Sequence, residues 1–233
     1  MSKRRELLPF LVMLFALLPY GYYFAGSIVY NGVTYTNTDC WGNFDQNNPE
    51  QFAPLRSEVP LNESQNSENI TEDIMIGLSQ YWWPGYESAT IDVEDEDIYL
   101  SAWYLKQNES MPWVIFVHGI RGCKADGALL IPSGMLANAG FNVIVFDLRD
   151  HGESSIDDNR VSGGQDEWVD VIAVFDWLIE EQGAEPDKIG LYGNSMGAGT
   201  VAIAFTFDDR MQAVWLESGY SDMGDIVVEE LEF

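Results

Sequence analysis

The chain has 233 residues, 46% of them hydrophobic and 21% charged, which allows one domain of fair size or a smaller domain plus an anchor. Eleven Lys and Arg stand against 38 Asp and Glu, a net charge of −27, and so acidic a surface repels phosphate backbones and excludes a nucleic-acid partner. Two cysteines, Cys40 and Cys123, are too few for a disulfide framework or a Cys-rich zinc site, and two histidines argue against a multi-histidine centre, so neither metal nor cofactor is expected.

Lys3, Arg4 and Arg5 precede an uncharged apolar run from Leu7 to Tyr30. At about 1.5 Å per residue this run spans a hydrocarbon core of ~30 Å, so residues 1–30 are expected to form one transmembrane helix acting as a signal anchor. Tyr20, Tyr22, Tyr23 and Tyr30 suit an interfacial aromatic belt, and the helix breakers Pro9, Pro19, Gly21 and Gly26 are of a kind that membrane spans tolerate. The next cation after Arg5 is Arg56, so the N-terminus is expected in the cytoplasm and the rest of the chain outside. A signal peptide cleaved after Ser27 sends the chain to the same side.

Residues 31–89 read as a polar linker and N-terminal extension, rich in Asn, Gln, Glu, Ser and Pro up to about Asn69 and without hydrophobic period. Asn62, Asn69 and Asn108 each open an Asn-x-Ser/Thr triplet. The aromatic run from Tyr81 to Tyr86 is read as packing under the first hairpin.

From residue 90 the pattern becomes that of a folded domain, 90–233. Ile91 to Val93 and Ile98 to Leu105 flank an acidic turn and predict a β-hairpin. Trp113 to Val117, Asn142 to Phe146, Ile189 to Tyr192 and Ala213 to Leu216 are short apolar runs, as expected of strands buried on both faces. Helical patterns lie between them at Leu129 to Ala139, Gln165 to Gln182 and Ser195 to Phe207, the first two ending at Gly140 and Gly183. Alternating strands and helices predict an α/β fold, a mostly parallel sheet with helices on both faces.

Gly193-Asn194-Ser195-Met196-Gly197 follows a predicted strand and opens a predicted helix, the setting that a Gly-x-Ser-x-Gly nucleophile turn needs. The glycines keep Cβ atoms out of a sharp turn, and the serine hydroxyl projects at a helix N-terminus, where developing negative charge is favoured. His118-Gly119-Ile120 directly follows the Trp113 strand, so the backbone N–H groups of Ile120 and Met196 can form an oxyanion hole above Ser195. His118 itself is read as fixing that turn. A third loop, Asp147-Leu148-Arg149-Asp150-His151-Gly152-Glu153-Ser154, follows the Asn142 strand.

These three motifs, in this order over roughly Ile91 to Tyr220, resemble the α/β-hydrolase superfamily, most nearly its serine-aminopeptidase-like and acyl-hydrolase groups. The resemblance implies Ser195 as nucleophile, Ile120 and Met196 as oxyanion donors, and His118, Gly119, Asp147 and His151 as structural loop residues. It implies no cofactor and a small-molecule, peptide or acyl substrate. Asp150 stands where that loop usually has glycine, which leaves the loop geometry open.

A serine hydroxyl needs a general base, and in this superfamily the acid and then the histidine follow the serine. No histidine follows Ser195, and Asp222 is the one acid considered, as a minority arrangement or simply as a loop residue. The expectation is therefore the N-terminal part of a longer serine hydrolase, its C-terminal strands, triad acid and base lying beyond Phe233. The alternative is a catalytically inactive binding module with the same cleft.

Overall fold

The computed structural model describes residues 3–36, 40, 47–52 and 79–221. Asn62, Asn69 and the candidate acid Asp222 lie outside them. The chain divides into two compact units after Tyr35.

The first unit is helix α1 (Lys3–Thr34). Among the described residues no helix is long and apolar enough to cross a membrane, so the transmembrane helix and membrane attachment expected at residues 1–30 find no support here. In the stretch of α1 whose side chains are described, Pro19, Tyr20, Gly21, Tyr22, Tyr23, Gly26 and Ser27 dilute the apolar residues.

The second unit holds the sheet. Strands β1 (Glu87–Asp92) and β2 (Tyr99–Leu105) form an antiparallel hairpin. Its turn is closed by the Val93 N–H donating to Ile98 O at 2.9 Å, with Asp95 at φ 63°. Strands β3 (Trp113–Val117), β4 (Asn142–Phe146), β5 (Ile189–Asn194) and β6 (Ala213–Glu217) run parallel to one another, in the order β1-β2-β4-β3-β5-β6. Helices α2 (Gly127–Asn138), α3 (Trp168–Glu180) and α4 (Met196–Phe207) connect them.

Alternation along the central strands divides the core by face, as a two-residue period requires. Ile115 and Val117 of β3, Ile144 and Phe146 of β4, and Leu191 of β5 pack with Val171, Phe175 and Leu178 of α3 and Val201 of α4. Phe116, Val143, Val145 and Tyr192 point the other way, onto Leu129 and Leu130 of α2. Each of these fully buried side chains contributes about 1.5–3 kcal/mol, which is why the β3–β4–β5 centre is the rigid base from which the loops project.

Three features differ from the sequence expectation. Part of the stretch read as linker is folded into this unit: Phe52 and Trp83 are buried on the α2 side, and Pro49 O accepts the Trp83 N–H at 2.8 Å. Those aromatics cover apolar area that α2 leaves open, and Gly134 is needed in α2 because a Cβ there would collide with the Tyr81 carbonyl. Tyr86 meets Trp103 of β2 edge-on at 5.6 Å, so the aromatic run touches the hairpin at one end and α2 at the other. Strand β6 is not buried on both faces: among the described residues it pairs with β5 alone, and Trp215 is 67% exposed. Cys40 and Cys123 form a single disulfide across 83 residues.

Candidate active site

Ser195 sits between β5 and α4 with φ 53° and ψ −117°, a backbone conformation that non-glycine residues adopt only under constraint. The constraint is packing. A Cβ at Gly193 would lie 2.5 Å from the Gly197 carbonyl carbon and 2.6 Å from Ala198 Cα. A Cβ at Gly197 would lie 2.5 Å from His118 O and would also collide with Val117 O. The two glycines let α4 start directly against the end of β3. The Ser195 N–H donates to Glu217 O at 2.9 Å, which ties the turn to β6.

The turn after β3 lies against the serine: the Cβ direction of Gly119 ends 3.1 Å from Ser195 Cβ. Gly122 N–H donates to Gly119 O at 3.0 Å, closing a four-residue turn with Arg121 at φ 57°. Ile120 is at the apex, and among the described residues nothing accepts its N–H. Met196 is the first residue of α4, so its N–H has no intrahelical partner either. Among the described residues, neither the N–H that follows Ser195 nor the one that follows Gly119 has a protein acceptor.

Both histidines are committed elsewhere. Leu148 N–H donates to His118 Nε2 at 3.0 Å, so Nε2 carries no proton and Nδ1–H donates to Gly119 O at 2.7 Å. Arg121 N–H donates to His151 Nε2 at 3.2 Å, and His151 Nδ1–H donates to Arg149 O at 2.8 Å. The rings meet edge to face at 4.8 Å. Burial pushes the His118 imidazole well below its ordinary range, with His151 adding to the effect, and burial lowers His151 as well. Neutral, doubly bonded rings hold the Ile120 turn and the β4 loop together, and neither accepts from Ser195.

Asp147 directly follows β4 and is fully buried. Its Oδ1 accepts the Lys124 N–H at 2.6 Å, and its Oδ2 accepts Lys124 Nζ at 2.5 Å and the Glu153 N–H at 2.9 Å. Gly152, at φ 52°, wraps so tightly around this carboxylate that no Cβ fits. Asp150 adopts φ 62°, the left-handed region that glycine favours, so the unusual residue keeps the turn. Its Oδ1 accepts Asp157 and Asn159 N–H at 2.8 and 2.9 Å. Arg149 reaches back to Asp170 of α3 at 2.7 Å and to Glu96 of the hairpin turn at 2.7 Å, and burial pushes Asp170 up to about 6 against the pull of Arg149.

The structure thus brings Ser195, Gly119, Ile120 and Met196 together and sets His118, Asp147 and His151 in the supporting loops. Sequence reasoning missed Lys124, the Arg149–Asp170 pair, the Cys40–Cys123 bond, and Tyr220, whose Oη donates to Gly163 O at 2.7 Å while its ring lies over Gly199. Lys124 and Asp170 each leave a trace, as a charged residue inside an otherwise apolar or glycine-rich stretch. A cysteine pair 83 residues apart leaves none.

Known proteins agree with this architecture. The alpha/beta hydrolase fold profile matches residues 112–231, just over half the chain, and the chain belongs to that family. An uncharacterised 31.7 kDa protein from the traX-finO intergenic region of Escherichia coli is 32% identical over 123 residues, 52% of this chain and 41% of that protein. Lysophosphatidylserine lipase ABHD12 of Xenopus tropicalis is 28% identical over 129 residues, 55% of this chain and 30% of the lipase. The chain therefore spans less than half the length of the curated relatives it matches. Among solved structures, the Pyrococcus furiosus esterase Pf2001 superposes with TM-score 0.52 at 26% identity, covering 58% of this chain and 51% of the esterase. Est1E of Butyrivibrio proteoclasticus, solved with ferulic acid, shares the fold at TM-score 0.51 and 21% identity, over 56% of this chain and 52% of its own.

Proposed function

We propose that this domain is a serine hydrolase in which Ser195 Oγ attacks an ester, thioester or amide carbonyl to form an acyl-serine. The observation that carries the reading is the constrained conformation of Ser195 at the start of α4, with Gly119 packed beneath it. In the attack, Oγ bonds to the carbonyl carbon, the C=O electrons move onto oxygen, and the Ile120 and Met196 N–H groups receive that charge. Each such donor contributes about 3 kcal/mol to the transition state, more than it gives the neutral carbonyl. The Oγ proton leaves to a base other than His118 or His151, whose ring nitrogens are both engaged. Collapse expels the alcohol, thiol or amine, and water then releases the acid. No metal or cofactor takes part in this scheme.

Among the relatives whose names state an activity, the esterase, the lipase and a thiohydrolase of Aspergillus aculeatus 27% identical over 105 residues favour esters and thioesters over amides. The disulfide favours a location outside the cytoplasm, because such bonds persist in oxidising compartments.

The rival reading, an inactive module that only binds acyl compounds, has one observation in its favour: among the described residues no histidine is left to activate the serine. A fluorophosphonate probe separates the two. The serine-hydrolase reading expects labelling of the wild-type chain that disappears in Ser195→Ala. Labelling that survives the substitution refutes Ser195 as nucleophile, and a wild type that binds acyl compounds but never labels favours the module.

A further inference from the structure

We propose that the Cys40–Cys123 disulfide is a positioning element for the oxyanion turn, fixing the Ile120 N–H against Ser195. The proposal rests on the reading of Ile120 as an oxyanion donor.

The turn stands in the nine-residue connection 118–126 between β3 and α2. Its bonds to the β4 loop are Leu148 N–H to His118, Arg121 N–H to His151, and Lys124 to Asp147. All three run to the one loop that follows β4. Further contacts come from described residues near the start of this unit. Cys40 is bonded to Cys123, which directly follows the residue that closes the turn, and Asn47 Nδ2 donates to Ala125 O at 3.1 Å. Cys123 is 1% exposed and its carbonyl accepts the Asp126 N–H at 3.0 Å, so a pull at its sulfur passes to the Gly119–Gly122 turn through buried backbone.

A bond positions something only if its far end is held, and described residues near Cys40 in sequence are packed into this unit. Before it, the Thr36 N–H donates to Asn159 O at 2.9 Å, with Thr36 itself buried. After it, Asn48 and Gln51 exchange two backbone hydrogen bonds at 3.0 Å, Pro49 O accepts Trp83 N–H, and Phe52 is buried in the α2-side core. A covalent tie at Cys123 restricts the turn in a way that hydrogen bonds alone cannot. Loss of alignment at an oxyanion donor is costly because the charge it serves develops at one point, and a misplacement of about 1 Å lowers a rate by about two orders of magnitude.

Reduction tests this. A dithiol supplies two electrons and two protons, the Sγ–Sγ bond breaks to the Cys40 and Cys123 thiols, and the dithiol closes to its own disulfide. The full chain is compared oxidised, reduced with dithiothreitol and reoxidised, beside Cys40→Ser and Ser195→Ala. The readouts are the second-order rate of fluorophosphonate labelling and amide hydrogen exchange resolved at Ile120–Gly122 and along β4. Expected on reduction is a fall of about tenfold or more in labelling rate and exchange about tenfold faster at Ile120–Gly122, with protection retained in β4. Reoxidation restores both in the wild type and neither in Cys40→Ser. If labelling and Ile120–Gly122 exchange keep their oxidised values while only the melting temperature falls, the bond is a stability staple and the proposal is overturned. If the oxidised wild type does not label, or labels in Ser195→Ala, the serine reading fails by itself. Exchange at Ile120–Gly122 then decides the positioning claim, faster exchange supporting it and unchanged exchange overturning it.

Discussion

Replacing Lys124 with methionine removes the charge that faces Asp147 while keeping a chain of similar length over the Trp103 ring, where Nζ now lies 4.8 Å from the ring centroid. Both partners are nearly inaccessible, with side chains 3% and 1% exposed, so the carboxylate left behind has no water to turn to. Breaking such a pair costs about 3–5 kcal/mol. Asp147 keeps two backbone donors, the Lys124 and Glu153 N–H groups, and this places the expected loss near the lower end, about 3 kcal/mol. Asp147→Asn in the wild-type background leaves Lys124 with Glu153 as its remaining carboxylate at 2.7 Å, and about 2 kcal/mol is expected. The double variant carries no buried unpaired charge, since Glu153 is solvent-exposed, and retains an amide oxygen for one N–H. It is expected to be more stable than the sum of the single losses predicts by about 2 kcal/mol. Urea unfolding followed by tryptophan fluorescence measures all four proteins, with the m-value serving as the check on two-state behaviour. A Lys124→Met loss under about 1 kcal/mol, or strict additivity in the double variant, would refute the claim that this buried pair supports the loops beneath Ser195.

Three further outcomes are expected. Gly197→Ala drives a methyl into the Val117 and His118 carbonyls, which are backbone and cannot swing aside, so a loss of about 2–3 kcal/mol and a marked drop in labelling at Ser195 are expected; full retention of both counts against the packing account of the elbow. Asp150→Gly relieves a left-handed φ, worth about 1 kcal/mol at most, but loses the acceptor for two N–H groups at about 1 kcal/mol each, so net destabilisation in thermal unfolding is expected and a stabilised variant would reverse the argument. His118 and His151 have folded-state pKa values lowered by burial, so the unfolded chain takes up protons first as pH falls below about 6.5. Their contribution is therefore fully present above that pH and is lost on acidification, by about 1.4 kcal/mol per pH unit for each ring that stays neutral when folded. Asp126, Asp150 and Asp170, raised by burial, act in the opposite sense at lower pH, so the decisive quantity is the difference between wild type and His118→Gln; equal slopes just below pH 6.5 would contradict the neutral-ring assignment.

The sheet and its connections were legible because their signals are local. Four short apolar runs, three-residue and four-residue spacing in Gln165 to Gln182, and glycines at positions 140 and 183 give strands, helices and their ends from nearest neighbours alone, and Gly140 and Gly183 do adopt φ 91° and 68°. The Gly-x-Ser-x-Gly turn was legible for the same reason: strand, glycine, serine, glycine and helix are contiguous, and the demands of the sharp turn fall on those residues. Apolar composition by itself did not settle two points. Ala213 to Leu216 looks like any central strand, but burial depends on what covers it, and β6 pairs on one side among the described residues. The N-terminal run looked long enough to span a membrane, and the described helix does not meet that measure.

The tertiary structure alone decided matters that depend on distance through space. That Asp150 can stand in for glycine follows from two N–H groups arriving from residues 157 and 159, which repay part of its backbone strain. That His118 and His151 are structural rings follows from amides 30 residues away donating to their Nε2 atoms. That two isolated cysteines meet follows from a fold that brings Cys40 to Cys123 and Asn47 to Ala125 O. In this chain the sequence by itself determines which segments form the sheet and which serine stands at its edge, because backbone conformation answers to adjacent residues. What holds that serine's surroundings in place is decided by hydrogen bonds, ion pairs and a disulfide between residues distant in sequence, and only the folded chain brings those partners together.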